Sequence, residues 1–475
     1  MTVSAEFGKP LSLRQTPIPG LVVLDLPVHG DSRGWFKENW QREKMVSLGL
    51  ADFGPVQNNI SFNDSIGTTR GIHAEPWDKY VSVATGRIFG AWVDLRGGPT
   101  FGQVYTTELG PAQAIFVPRG VGNSYQTLEA NTAYTYLVND HWSPEAQYSF
   151  LNLADETVAI DWPIPLNEVE ISEKDQNHPR LGDVVPIPPR KTLVIGSNGQ
   201  LGRALRREFG DDSEVEYADR GTLDLADADL EQARDWHDYG TIINAAAYTS
   251  VDLAEVDDGR SMAWAANVTG VAKLAAIASR HRLTLVHISS DYVFDGHKAM
   301  AYLEDDPVAP LGVYGQTKAA GDAVVSTVPH CYILRTSWVI GEGNNFVRTM
   351  ASLAARGIDP AVVDDQTGRL TFTDDLARAV RHLLSTHAPY GVYNVTSAGE
   401  PATWADIARE TFRLSGHDSG RVRGVTTEDY FSARADPVAP RPLNSVLDLS
   451  KVIATGFEPS DWATRLHSYL RELKE

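Results

Sequence analysis

The sequence predicts a two-domain protein: an all-β sandwich or jelly roll, followed by an α/β domain on a parallel, doubly wound sheet. Three observations predict it. Residues 1 to about 170 alternate short β-rich runs with Gly, Pro and Asn/Asp punctuation, the pattern of many short strands joined by turns. After a proline-rich stretch (HPRLGDVVPIPPR), apolar runs alternate with helical segments, the rhythm of βαβ units. That second half opens on KTLVIGSNGQLG, where a buried strand turns through glycines directly into a helix. A chain of 475 residues is too long for one core. The expected division is residues 1–181, a linker at 182–190, and residues 191–475.

Composition narrows the partners. Hydrophobic content of 42% with 22% charged residues is ordinary globular material. The formal net charge of -20 disfavours nucleic acid and anionic membranes, because phosphate binding relies on Lys and Arg releasing counterions. A few local arginines can still hold a small diphosphate. The single cysteine, Cys331, has no internal disulfide partner and sits in an apolar run, so a buried thiol is expected. No apolar run reaches about 18 residues and MTVSAEFGKPLSLRQ lacks a signal-peptide core, so a cytoplasmic protein is expected.

Taken in order, residues 21–24, 80–83, 88–93, 115–117 and 132–138 read as strands, and 42–48 as the one clear helix of the first half. The proline-rich 182–190 reads as a stiff extended linker. In the second half, 193–195, 241–246, 283–289 and 332–338 read as strands, and 262–281 and 317–326 as helices. Past about Asp364 the strand rhythm weakens, as expected for a smaller substrate-covering lobe. Gly196, Gly199 and Gly202 permit a tight turn, an approach of backbone amides to a pyrophosphate, and close packing of helix on strand.

Tyr314 and Lys318 lie one helical turn apart, so a phenol and an ammonium share a face. Beside a nicotinamide, the lysine would lower the tyrosine pKa and hold the ribose, while the tyrosine exchanges a proton with a carbonyl or alcohol. Ser290, Asp291 and Tyr292 follow an apolar strand, the end at which such sheets bind ligands. VIGSNGQLG, INAAAYTSVDLAE, HISSDYVFDG, YGQTK, LRTSWVIGEGNNFV, VVDDQTGRLTFTDDLA and RPLNSVLD together resemble the dTDP-4-dehydrorhamnose reductases, extended short-chain dehydrogenases with a Rossmann fold. The resemblance implies Ser290, Tyr314 and Lys318 as the catalytic set, and Asp291, Tyr292 and Trp338 around the sugar. It places Gly196, Gly199, Gln200, Leu201, Gly202, Asp224, Leu225 and Ala245, Ala246 and Ala247 against the dinucleotide, with Tyr314 and Lys318 at its nicotinamide end. Asp219 favours the free ribose of NADH and Arg220 the 2′-phosphate of NADPH, so the cofactor is either one.

In the first half, His73 ends RGIH and Lys79 follows six residues later. A cupin-type metal site would need an H-x-H pair, but Glu75 occupies the second place, which argues against a metal. DSRGWFKE, the Gln57/Asn59 pair, RGIH, VPRGVGNSY and DETVAIDWP resemble the dTDP-4-dehydrorhamnose 3,5-epimerases, metal-free jelly rolls of cupin-like shape. The resemblance implies His73 as base, Asp155 as the residue that orients and charges it, Tyr136 as acid on the opposite ring face, and Lys79 as stabiliser of the enolate. It assigns Arg33, Glu38, Gln57, Asn59 and Arg70 to the nucleotide and diphosphate. The chain departs from the family pattern at Asn123, where a histidine is usual, at Trp142, and in a short loop between His73 and Lys79. Together the two resemblances imply a homodimeric enzyme acting on a dTDP-linked 4-keto-6-deoxy sugar, epimerising at C3 and C5 and then reducing C4. The alternative is a reductase carrying an inactive jelly roll as a binding or dimerisation module.

Overall fold

The computed structural model describes residues 8–141, 148–210, 212–227, 229–432 and 437–473. The chain separates into two units, Met1–Pro189 and Arg190–Glu475.

The first unit contains strands β1 (Ser12–Gln15), β2 (Val22–Asp25), β3 (Val28–Asp31), β4 (Gly34–Lys37), β5 (Gln57–Asn63), β6 (Thr69–Ala74), β7 (Lys79–Thr85), β8 (Ile88–Asp94), β9 (Val104–Leu109), β10 (Gln113–Val117), β11 (Val121–Thr127), β12 (Thr132–Val138) and β13 (Ser149–Phe150), with helices α1 (Arg42–Ser47) and α2 (Glu173–Gln176). Two antiparallel sheets form, β1-β2-β10-β7-β12-β5 and β13-β6-β11-β8-β9. Strand alternation decides which side chain goes where. Val81 and Val83 of β7, and Ile115 and Val117 of β10, enter the layer that also holds Ile88 and Trp92 of the other sheet. Their neighbours Tyr80, Ala114 and Phe116 face the opposite way and are covered by Met45, Leu50 and Phe53. Each such fully buried aliphatic side chain contributes about 1.5–3 kcal/mol.

The outer face of the second sheet is sealed by the chain that follows it. Leu151, Leu153, Val158, Leu181 and Val184 pack on Ile72, Val93 and Leu95, with Ile187 against them. This corrects the expected stiff extended linker at 182–190, which is instead packed as part of the first unit. The Ile187 N–H donates to the Leu95 carbonyl and the Ile187 carbonyl accepts from the Gly97 N–H, both at 2.8 Å. Through these bonds the segment lies along a strand edge, burying Val184 and part of Ile187 while Val185 stays exposed.

In the second unit, β14 (Lys191–Ile195), β15 (Val215–Ala218), β16 (Tyr239–Asn244), β17 (Thr284–Ser290), β18 (Cys331–Thr336) and the edge strand Gly391–Asn394 form one parallel sheet in the order β15-β14-β16-β17-β18-edge. Helices α3 (Gln200–Phe209), α4 (Asp257–Trp264), α5 (Gly270–His281), α6 (Val313–Val325), α7 (Phe346–Ala355), α8 (Thr373–Ser385) and α9 (Trp404–Leu414) accompany it. One face is covered by residues such as Val271, Leu274 and Ile277 of α5. The other is covered by α3 and α8, through Leu205, Leu376 and Val380. The helix expected over 262–281 is two helices joined by a π-type turn, Ala265–Thr269. The region past Asp364 does not belong to a separate lobe alone, because it supplies α8 and the sixth strand of the main sheet. The lobe itself packs α7 and α9 with Trp462–Glu472. No helix among the described residues is long and apolar enough to cross a membrane.

Two candidate active sites

Between the sheets of the first unit lies a cavity of about 240 Å³ lined by Arg70, His73, Glu75, Lys79, Asn123 and Tyr136 among others. Period-two alternation turns His73 inward while Ile72 and Ala74 of the same strand pack outward. Tyr136 and Lys79 come from the facing sheet, Tyr136 on β12 and Lys79 at the start of β7. His73 Nε2 donates to Asp175 Oδ1 at 2.9 Å, and Asp175 Oδ2 accepts from the Gly71 N–H at 3.2 Å. Asp175 sits on α2, whose first turn is capped by the Ser172 hydroxyl. Burial works to raise the Asp175 pKa, but the hydrogen bond and charge of His73 outweigh it and hold the carboxyl below its ordinary value.

Asp155 is therefore not the partner of His73. Its Oδ1 accepts from the Thr157 and Val158 N–H groups and its Oδ2 from the Leu181 N–H at 2.7 Å. Three main-chain donors saturate it and it shapes the turn that leads the chain back across the sheet. Lys79 pairs with Glu75, one turn of sequence earlier, and its ammonium lies 4.9 Å from the centre of the Tyr136 ring. Burial, then the Glu75 charge, push the Tyr136 pKa up, so the phenol stays protonated as a donor should.

Gln57 and Asn59 sit on β5 beside Tyr136, with Gln57 Nε2 donating to Asn59 Oδ1 at 2.9 Å. Arg70 donates to Asn63. Arg33 and Glu38 are not brought to the cavity. Arg33 is paired with Asp31 on the exposed β3–β4 turn, and Glu38 with Lys44. Asn123, opposite His73 in register, accepts from Trp92 Nε1 at 2.9 Å and donates to the Tyr134 hydroxyl at 3.0 Å, so here it braces two core aromatics. Trp142 lies outside the described residues.

The second site follows the carboxyl ends of the parallel strands. Gly196, Gly199, Asp219, Arg220, Asp224, Leu225 and Ala245–Ala247 line a cavity of about 400 Å³. Gly196 has φ +82°, and a Cβ there would stand 2.7 Å from the Ala246 nitrogen, so only glycine fits. Gly202 serves packing: a Cβ would meet the Gly196 carbonyl at 2.2 Å. Leu201 is likewise in the core and Gln200 reaches the Asn344 carbonyl, so neither Leu201, Gly202 nor Gln200 lines this cavity. Asp219 accepts from the Gly221 and Thr222 N–H groups and from Asn198 Nδ2, while Arg220 pairs with Asp224.

One strand over, Ser290 ends β17 and donates to Asp291 Oδ1 at 2.9 Å. Helix α6 starts at Val313, earlier than expected, which puts Tyr314 in its first turn and within a hydrogen bond of Ser290. Burial, then the Asp291 charge, raise the Tyr314 pKa, which reverses the expected lowering by Lys318. The buried Lys318 donates to the Ile288 carbonyl at 2.6 Å and lies 3.4 Å from His287 Nε2. Desolvation lowers its pKa to about 8. Asp291 is pushed up to about 6 by burial, against hydrogen bonds from Ser445 and Ser290. The Tyr292 ring lies 5.5 Å from that of Tyr314. Trp338, expected inside a strand, instead takes φ +48° just past β18 and stacks on Trp404 at 3.8 Å.

Sequence reading missed Asp175, Glu75, His178 and His287. Asp175 and His178 lie in SEKDQNHP, beside the supposed linker. Only the pairing of a charged residue with a sequence-distant histidine could have marked them.

Comparison with known proteins agrees with this division. The RmlD substrate binding domain family matches residues 190–475, and the dTDP-4-dehydrorhamnose 3,5-epimerase family matches residues 15–183. The protein RmlC homolog of Streptococcus pyogenes is 50% identical over 192 residues, 39% of this chain and 96% of that protein. The dTDP-4-dehydrorhamnose reductase of Aggregatibacter actinomycetemcomitans is 41% identical over 293 residues, 58% of this chain and 97% of its own. The crystal structure of the dTDP-4-dehydrorhamnose reductase of Bacillus anthracis in complex with NADP is 31% identical, with a TM-score of 0.55 over 60% of this chain and 99% of that one.

Proposed function

Because the chain belongs to the RmlD substrate binding domain family over residues 190–475 and to the dTDP-4-dehydrorhamnose 3,5-epimerase family over residues 15–183, we propose that it performs both reactions in succession on one nucleotide sugar. It carries an epimerase domain and a reductase domain of dTDP-rhamnose biosynthesis. The substrate is dTDP-4-dehydro-6-deoxy-glucose, inverted at C3 and C5 and then reduced at C4. The observation that carries this reading is the His73–Asp175 pair facing Tyr136 across one cavity, in the same chain as the Ser290–Tyr314–Lys318 set.

In the first unit, which we read as a jelly roll, His73 removes a proton beside the C4 ketone and Asp175 stabilises the imidazolium formed. Lys79 holds the charge that develops on the ketone oxygen, and Tyr136 returns a proton from the opposite face. No redox step is involved, so this half is read as independent of nicotinamide and of metal. In the second unit, read as a Rossmann fold of the extended short-chain dehydrogenase type, the glycine cradle at Gly196 and the cavity beside Asp219 fit a dinucleotide. NADH or NADPH bound there supplies hydride. Tyr314 protonates the C4 oxygen, Ser290 orients it, and Lys318 holds a cation beneath the phenol. Asp219 and Arg220 both border the ribose end, which supports use of either cofactor. We read the protein as a cytoplasmic homodimer, the edge strand β5 leaving Ile60 and Phe62 exposed as a face for a second copy.

The test is incubation of the full chain with dTDP-4-dehydro-6-deoxy-glucose in D₂O. Without nicotinamide, deuterium is expected at C3 and C5. With NADPH, the product is expected to be dTDP-L-rhamnose. Reduction without any C3 or C5 exchange would leave the reductase carrying an inert β-rich unit.

A further inference from the structure

The sequence has Glu75 where an H-x-H metal pair would place a second histidine, yet the fold brings another imidazole to His73. Asp175 Oδ1 is shared. His73 Nε2 lies 2.9 Å from it on one side and His178 Nε2 lies 3.7 Å from it on the other. His178 follows α2 by two residues, so the turn after the helix carries it back beneath its own Asp175. Its side chain is 5% exposed, and its polar neighbours are the Leu151 backbone and Asp175, with Asp175 at 3.7 Å too far for a hydrogen bond. The ring is clamped between aromatic neighbours, stacked on Phe150 at 4.7 Å and edge-on to His73 at 5.4 Å. A buried imidazole aimed at a carboxylate without a hydrogen bond to it needs a reason.

We propose that His73, Asp175 and His178 form a binding site for a divalent transition ion of the zinc class, and that its occupancy switches off the proton chemistry of the β-rich unit. The inhibitory part rests on the reading of His73 as the base; the binding part does not. The three donor atoms all lie within 4.8 Å of one another. Ligands about 2.0–2.1 Å from one tetrahedral zinc ion stand about 3.4 Å apart, so the longest separation closes by up to about 1.4 Å as the rings turn and α2 draws in. Two imidazoles and one carboxylate select zinc, copper or nickel over magnesium or calcium, which prefer all-oxygen sets.

Access and charge bear on the same point. The His73 side chain is 34% exposed toward the cavity, which gives an ion a way in and leaves an open coordination position there. Among the described residues, Lys79 is paired with Glu75, Arg70 donates to Asn63, and Lys174, over the Phe150 ring, is the cation that opposes an ion at His178. An ion on His73 Nε2 leaves the ring's one proton on Nδ1 and takes Asp175 Oδ1, so the imidazole has no lone pair left to accept a substrate proton and no carboxylate to stabilise its charged form. Metal-free catalysis and metal-bound arrest are thus two states of one set of side chains.

The experiment uses the full chain without an affinity tag, stripped with a chelator. Zinc binding is measured by calorimetry with the metal alone, and Co²⁺ absorption reports the ligand field. Wild type is expected to bind one ion that His178→Asn and His178→Phe both weaken by about tenfold or more, the phenylalanine keeping the stack on Phe150 if the asparagine fails to fold. Asp175→Asn is expected to weaken it likewise. Bound zinc is expected to stop C3 and C5 deuterium exchange, restored by chelator, while NADPH-dependent reduction of pre-epimerised sugar continues. Zinc affinity unchanged in both His178 variants overturns the site. Binding at the site with exchange undiminished overturns the switch. Binding in a chain that shows no exchange even when metal-free leaves the site standing and instead removes the epimerase reading.

Discussion

The two units, both proposed above to move protons beside a 4-keto sugar, prepare their ionisable groups in opposite ways. In the β-rich unit Asp175, proposed as the partner of the base, is held below its ordinary pKa by the hydrogen bond and charge of His73, against burial. In the α/β unit burial prevails over pairing: Asp291 is raised to about 6, Lys318 lowered to about 8, and the Tyr314 phenol raised. Enolisation needs a base whose conjugate acid has a counter-ion waiting, so an ionised partner suits it. Reduction needs a proton donor that keeps its proton until the C4 oxygen becomes an alkoxide, so a desolvated phenol suits it. The contrast follows from position. His73 and Asp175 meet at the wall of an open cavity, whereas Ser290 and Lys318 lie inside the packing of β17 against α6.

The largest effect expected from breaking this contrast is at the phenol. Tyr314→Phe keeps the ring and its contact with Tyr292 but removes the donor, and reductase turnover should fall by about 10²–10⁴-fold, as for loss of a general acid. Deuterium exchange by the first unit should be unaffected, because it uses none of these atoms. Near-normal reduction by a folded Tyr314→Phe chain would remove the phenol from the mechanism.

The next effect separates two aspartates that sequence alone confuses. Asp175→Asn keeps the size but removes the charge beside His73, and exchange at C3 and C5 should fall on the order of 10²-fold. Asp155→Asn should instead lower the stability of the first unit, since the amide cannot accept as well from three main-chain donors, with exchange by the folded fraction little changed. The reverse pattern, chemistry lost at Asp155 and kept at Asp175, would show that the pairing at His73 is not what drives the base.

Why one site was legible in the sequence and the other only partly comes down to distance along the chain. Gly196, Ser290, Tyr314 and Lys318 act within local units, a strand-to-helix turn, a strand end and one helical turn, whose spacing is written in consecutive residues. The partner of His73 lies 102 residues away. DETV at Asp155 offers a turn-forming acid in a plausible place, while nothing local to SEKDQ marks its acid as the partner of a histidine 102 residues earlier. The neighbouring prolines suggest a stiff extended linker, and the burial of Val184 and Ile187 on Leu95 depends on a sheet face that the local sequence does not contain. Likewise the weakening of strand rhythm after Asp364 conceals the last parallel strand, since one short strand beginning at a glycine gives little periodicity.

The smallest effect is the one that tests the contrast most directly, because the two aspartates should respond to pH with opposite sign. Asp291 ionises at about 6 in the folded chain against an ordinary 3.8, so between those values the folded state keeps a proton that the unfolded state releases. Stability of the α/β unit therefore falls as pH rises through that window, and the penalty is complete above it. A gap of about two units corresponds to roughly 3 kcal/mol, and Asn, which still accepts from Ser290 but loses part of the hydrogen bonding of the carboxylate, should recover about 1 kcal/mol of it. Asp291→Asn is thus expected to unfold at higher urea than wild type at pH 8, with the advantage gone near pH 4. Asp175, lowered in the folded chain, contributes stability that is present above its unfolded pKa and lost as pH falls through the folded one. Asp175→Asn should accordingly lose stability at pH 8 and converge on wild type in acid. Urea titrations followed by a probe for each unit at the two pH values read both signs. If the two variants shift in the same direction at pH 8, burial does not govern the one site and pairing the other, and the division drawn between them fails.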